Sequence, residues 1–239
     1  LLFNFSLAWI EYELNDLSSA EKHLRFVINA DDNLYPFVVS NSNYLLGNVF
    51  FARNQFDSAR VYYNNYLKLA VNDDYKGFVN MQTGLCLEIS GNRKEAVKYY
   101  DKSSDGNSDI EEDLFAERKG NDFEDRKLTD NEIQLIRYSN LIKQNKLAVA
   151  KDSLESYIAK NKITNDLKAE ALLYLSQISY KQRRFQESLD YAVDCINTEI
   201  EKERWVHAYA YYVGAWNSYN QKKFIEAKLF LLQIDNLEE

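Results

Sequence analysis

The chain has 239 residues, 46% hydrophobic and 28% charged, which excludes a disordered polymer and leaves room for one large domain or an array of repeats. One proline and seven glycines are too few turn formers for an all-β protein of this length. A net charge of −8 argues against unaided nucleic-acid binding, which needs clustered Lys and Arg, and no apolar run is long enough for membrane insertion.

Six small residues recur along the chain: Ala20, Ala59, Ala96, Ala150, Ser188 and Ala227, at intervals of 39, 37, 54, 38 and 39 residues. A period in this range signals stacked supersecondary units. Twelve residues before each stand Ala8, Gly47, Gly84, Tyr138, Ser176 and Ala215, small in five of six cases. Four residues after each stand Leu24, Tyr63, Tyr100, Leu154, Ala192 and Leu231, mostly bulky. This spacing predicts amphipathic helices in pairs, with small residues facing each other where the backbones approach.

In chain order, the predicted turns inside the hairpins fall at Asn15-Asp16, Asn54-Gln55, Gly91-Asn92, Asn145-Lys146 and Arg183-Arg184. Ser18 with Glu21 and Asn92 with Glu95 read as capping boxes for the helices that follow. Three hairpins are expected over residues 1–104 and three more over 129–239. Between them, 105–128 reads as an acidic insertion. Residues 101–132 hold twelve acids and five bases, and so carry seven of the eight net negative charges. Ile110 to Lys119 is expected to form a short helix stopped by Gly120, followed by an exposed acidic linker over Asn121–Lys127.

The segment Tyr44-Leu45-Leu46-Gly47-Asn48-Val49-Phe50-Phe51, with Phe56-Asp57-Ser58-Ala59, resembles the tetratricopeptide repeat family. Gly84 followed by Gly91-Asn92-Arg93-Lys94-Glu95-Ala96 resembles it nearly as well. The period exceeds the family's 34 residues, and the family's proline near the end of each repeat is missing. The first half, from Tyr35-Pro36-Phe37 to Glu111-Glu112-Asp113, is also similar to large repeat proteins of bacteria. The resemblance implies an all-α fold, an α-α superhelix built as a right-handed solenoid of about six hairpins.

Chemistry is sparsely represented. Two histidines, His23 and His207, stand in no zinc-binding spacing, and no phosphate-binding glycine loop or nucleophile elbow occurs. No enzyme activity, catalytic residue or cofactor is therefore expected. Cys86 and Cys195 read as small core residues and leave the redox compartment undecided. The run Asp101 to Glu112 fits a calcium loop, with Asp101, Ser103, Asp105, Asp109 and Glu112 as oxygen ligands and Gly106 at the bend. Against it, Ser108 stands where a branched apolar residue belongs, and a solvated acidic loop is the competing reading.

Family groove positions fall in this chain on Trp9, Tyr12, Tyr44, Asn48 and Phe51, and on Gln177, Tyr180, Tyr212, Trp216 and Tyr219. Rings supply contact area at little entropic cost, and amides pair with a partner's backbone. The same residues could instead pack between neighbouring helices. The resemblance also implies a chaperone-tail clamp in some members, but the clamp positions here hold Phe5, Trp9, Leu45, Phe78 and Gln82, which cannot grip a carboxylate. The expected function is a protein-interaction scaffold holding a peptide or partner helix in its groove. Leu229, Leu232, Ile234 and Leu237 on the last helix motivate the alternatives: a segment of a larger assembly, or end-to-end self-association. A calcium-responsive adaptor is the third.

Overall fold

The computed structural model describes residues 1–30, 35–159, 162–235 and 237. Among these residues there are thirteen α-helices and no strand. They are α1 (Leu2–Glu13), α2 (Leu17–Asn29), α3 (Pro36–Ala52), α4 (Phe56–Leu69), α5 (Lys76–Ile89), α6 (Arg93–Tyr100), α7 (Glu111–Asp125), α8 (Asp130–Lys143), α9 (Leu147–Ala159), α10 (Asn165–Lys181), α11 (Phe185–Ile196), α12 (Arg204–Asn220) and α13 (Phe224–Asp235). A 3-10 helix, Asp101–Asp105, continues α6. The chain divides into two compact units. One comprises Leu1–Thr129 with Lys143–Asn145, the other Asp130–Ile142 with Lys146–Glu239. Each unit is a row of helical hairpins, the all-α repeat architecture expected.

The six ladder residues are all buried. Ala20, Ala59, Ala96, Ala150 and Ser188 are fully buried, and Ala227 is nearly so. The small residues twelve positions earlier serve two different ends. In α10/α11 small faces small: the Ser176 hydroxyl donates to the Ser188 carbonyl at 2.7 Å, and the Ser188 hydroxyl donates to the Ser176 carbonyl at 2.7 Å. In α3/α4 and α5/α6 the partner is instead a ring. A methyl group on Gly47 would overlap Tyr63, and one on Gly84 would overlap Tyr100. Both tyrosines are fully buried, so the glycines exist to seat them.

All six hairpin turns share one device. Asn15, Asn54, Gly91, Asn145, Arg183 and Lys222 each adopt positive φ, between 56° and 85°. The next residue then donates its N–H five residues back, as in Gln55 to Phe50 (2.9 Å), Arg184 to Ser179 (2.9 Å) and Lys223 to Ser218 (2.9 Å). This geometry satisfies the orphan carbonyls at a helix C-terminus. Asn and Gly tolerate it at low cost, whereas Arg and Lys do not. Replacing Lys222 with Gly should therefore raise stability by about 1 kcal/mol, and Gly91→Ala should lower it by about 1 kcal/mol. Gly91 has open space around it, so backbone strain alone is at work there. Urea unfolding of both variants checks the opposite signs.

The capping boxes differ from expectation. Asp16, not Ser18, caps α2, its carboxylate accepting from the Ser19 N–H at 3.1 Å. The Asn92 side chain makes no cap bond to α6. Asp16 is the residue that immediately follows the left-handed turn, so it reaches the helix start first.

The acidic segment departs furthest. The helix does not stop at Gly120. It runs on to Asp125, and α7 packs against α5, α6 and the 3-10 helix. Gly120 is there because a methyl would collide with Ser103 and approach the Tyr100 carbonyl to 3.0 Å. Asp113 on α7 is buried, and its two oxygens accept from the Phe78 N–H (2.8 Å) and the Asn107 N–H (2.9 Å). Phe78 lies in the first turn of α5, whose own N-cap, Tyr75, supplies no side-chain bond. Asp113 thus caps α5 from another helix. Burial raises its carboxyl pKa, opposed by these backbone bonds.

Candidate functional site

Residues spaced four and then three apart lie on one helical face, so each first helix of a hairpin carries its groove positions as a stripe. In the first unit the stripe turns inward. Trp9 meets Phe5 edge-on at 6.0 Å and lies 6.4 Å from Tyr44. Tyr44 stacks on Tyr75 at 4.8 Å and meets Phe78 edge-on at 6.1 Å, leaving only 4% of its surface exposed. Burial pushes its phenol well above the ordinary range. Asn48 accepts from the Tyr63 hydroxyl at 2.8 Å, and Phe51 packs edge-on against Phe56 at 5.2 Å. Tyr12 is half-buried against the same core. In these two hairpins the residues pack between helices, and Tyr44 in particular is core.

The second unit differs. On α12, Tyr212 is 44% exposed, Trp216 43% and Tyr219 54%. Their rings form a ladder of edge contacts, Tyr212 to Trp216 at 6.2 Å, Trp216 to Tyr219 at 5.6 Å and Tyr219 to Phe224 at 5.6 Å. Tyr209 extends it by one ring, 5.8 Å from Tyr212. From α10, Tyr180 packs on Phe185 at 5.7 Å, and its hydroxyl accepts from the Asn220 amide at 3.3 Å; Gln177 is half-buried on the same helix. Mutual contact holds these rings in place while leaving their outer faces open.

The calcium reading does not survive. Asp101 to Asp105 is a 3-10 helix, not a wrapping loop, and Ser103 is buried with its hydroxyl donating to the Tyr100 carbonyl at 2.6 Å. Gly106 has φ −83°, so it makes no left-handed bend; it is there because a Cβ would come within 2.5 Å of the Asp113 carboxyl carbon. Asp101, Asp105, Asp109 and Glu112 do not converge, and no group of three metal-binding side chains forms among the described residues. The inward carboxylate is Asp113, which the sequence reading passed over.

A second buried carboxylate was also missed. Glu88 is fully buried and accepts from Tyr100 (2.8 Å), Arg93 (3.0 Å) and the Leu128 N–H (2.8 Å). Arg93 donates in turn to the Phe123 carbonyl (2.5 Å) and the Glu124 carbonyl (2.7 Å), at the C-terminus of α7. The Glu88–Arg93 pair clamps α7 to the third hairpin. The thiols are withdrawn: Cys86 and Cys195 are buried and free, and burial pushes Cys195 up to about 12. His23 pairs with Glu11 at 2.7 Å, and His207 bonds the Thr198 carbonyl at 3.0 Å. Among the described residues no helix is long and apolar enough to cross a membrane.

Hairpins joined by left-handed turns, with small residues at the crossings, define a helical-repeat protein. Residues 139–194, from within α8 to α11, match the family model for the tetratricopeptide repeat. No curated protein matches it in sequence. Among solved structures, it is similar to YrrB, a repeat protein with an unusual peptide-binding site, at 14% identity over 87% of this chain and 89% of that one (TM-score 0.38). It is also similar to NprR in complex with its cognate peptide NprX, at 14% identity over 95% of this chain and 64% of that one (TM-score 0.41). A third is pilF of Pseudomonas aeruginosa, at 16% identity over 98% and 90% (TM-score 0.37).

Proposed function

We propose that the chain is a protein-interaction scaffold that binds a helical segment of a partner protein along the aromatic face of α12, with Tyr180 and Gln177 of α10 at its edge. The observation that carries this is the exposure of Tyr212, Trp216 and Tyr219, three fixed rings in a row. Such rings lose little entropy on binding and are the residue types that dominate interface energies. A helix is favoured over an extended strand by internal precedent. Tyr44 holds the same register position on α3 as Tyr212 on α12, and Tyr44 is covered by α5 through Tyr75 and Phe78.

The test is selection of binders from a displayed library of amphipathic helical peptides, followed by affinity measurement. Selected peptides should carry apolar residues at helical spacing. Tyr212→Ser/Trp216→Ser should weaken them by about 2 kcal/mol, roughly thirtyfold, with the melting temperature unchanged. Affinity unaffected by that pair of changes would refute the assignment.

The covering of Tyr44 by α5 also favours a second reading, in which the helix that lies on α12 belongs to another repeat of a larger assembly or to a second copy. Light scattering separates them. A mass that rises with concentration and falls back in the Tyr212→Ser/Trp216→Ser variant selects self-association over a foreign partner.

A further inference from the structure

In the first unit, α4, α5, α6 and the 3-10 helix bound a cleft of about 570 Å³ that none of the groove positions lines. Asn64, Leu67 and Lys68 line one wall from α4. Glu95, Lys98 and Tyr99 of α6, continued by Lys102 and Asp105 of the 3-10 helix, line the other. Lys76 and Asn80, from the start of α5, form the floor. The spacing is helical on both walls, so the two faces confront each other across the opening.

The charge of this cleft runs against that of the chain. Four lysines and two acids line it, in a protein whose net charge is −8. Only part of that positive charge is spent internally: Lys98 pairs with Glu95 at 2.7 Å, and Lys76 pairs with Asp73 at 2.6 Å. Lys68 and Lys102 engage no carboxylate among the described residues, and both are exposed. The floor is firm, because the buried Asn80 amide donates to the Lys102 carbonyl at 3.0 Å and so fixes the backbone that carries Lys102. The Tyr99 hydroxyl donates to Asn64 at 3.2 Å and ties the walls together. Leu67 and the Tyr99 ring add an apolar strip between the ammonium groups.

We infer that this cleft is a docking site for a short acidic peptide segment of a partner protein, whose carboxylates meet Lys68 and Lys102 while an apolar side chain lies on Leu67 and Tyr99. A volume of several hundred cubic ångströms suits a few residues rather than a whole domain. Lysines act here as point charges, which select for anionic character more than for one planar group. The like-signed surroundings sharpen the preference, because an acidic peptide is repelled from most of this surface and attracted only where positive charge is left over.

The experiment uses the full chain and two fluorescein-labelled hexapeptides, one alternating Glu and Leu, the other alternating Gln and Leu, read by fluorescence anisotropy. The Glu peptide should bind, weaken as salt is raised from about 20 to 500 mM, and outcompete the Gln peptide. Lys68→Glu/Lys102→Glu should reduce its affinity at least about tenfold. Lys168→Glu/Lys228→Glu, exposed changes of equal charge in the other unit, should leave it within about twofold. Equal losses in the two variants would reduce the effect to net charge and overturn the site. So would failure of the wild-type chain to bind the Glu peptide, or complete displacement by millimolar inorganic phosphate, which would make the cleft a simple anion site. Thermal melting of both variants confirms that they remain folded. The aromatic face of α12 plays no part in any of these outcomes.

Discussion

Replacing Arg93 with Met should destabilise the chain by about 3 kcal/mol, the scale on which half of a buried ion pair is lost. Glu88 would remain fully buried with its charge opposed only by Tyr100 and the Leu128 N–H. The Phe123 and Glu124 carbonyls would lose the Arg93 guanidinium, which meets the negative end of the α7 dipole. The loss should therefore be felt in α7 as well as at the mutated site. Urea unfolding gives the magnitude, and amide exchange shows whether protection falls across Glu111–Asp125. Adding Glu88→Gln to the Arg93→Met variant should restore part of the loss, because it removes the stranded charge and keeps an acceptor. A cost under about 1 kcal/mol, or no rescue, would show that the pair is solvated rather than structural.

Gly77→Ala should cost about 2 kcal/mol or more, although alanine is ordinarily the better helix former by about 1 kcal/mol. Gly77 lies within α5, and its new methyl would run into the Ser103 backbone carbonyl and stand 3.1 Å from an Asp113 oxygen. A backbone atom cannot step aside as a side chain does. Gly214→Ala is the contrasting case: its nearest neighbours are Phe230 ring atoms at 3.1 Å, and Phe230 is only half-buried. That ring can tilt, so the change should be close to neutral. Chemical denaturation of the two variants side by side tests the ordering. A Gly77→Ala protein as stable as the parent would mean that the 3-10 helix is not held against α5.

The two variants also mark the limit of what the sequence discloses. The hairpin ladder was legible because periodic burial leaves a periodic trace: small residues recur where backbones cross, and turn residues recur five positions ahead of them. The docking of α7 leaves no such trace. It depends on Gly77, Gly106 and Gly120, on Asp113 and on Glu88 with Arg93, which share no period and meet only in three dimensions. Gly120 resembles a helix stop when taken alone, and Asp113 is one acid among twelve in that stretch. The groove positions were legible as positions but not as surfaces. Tyr44 and Tyr212 occupy the same register, and whether each is covered depends on what lies against it.

The borrowed cap at Asp113 has a consequence for the order in which the chain acquires structure. Most hairpins need only their neighbours, so they can consolidate as they leave the ribosome. The third cannot, because the carboxylate that completes the start of α5 lies thirty-five residues downstream of Phe78. Until that residue is synthesised, α5 begins with free N–H groups and Arg93 has no helix end to hold. A nascent chain arrested near residue 104 should thus carry two settled hairpins and a frayed third, and translation through α7 is the event that closes the unit.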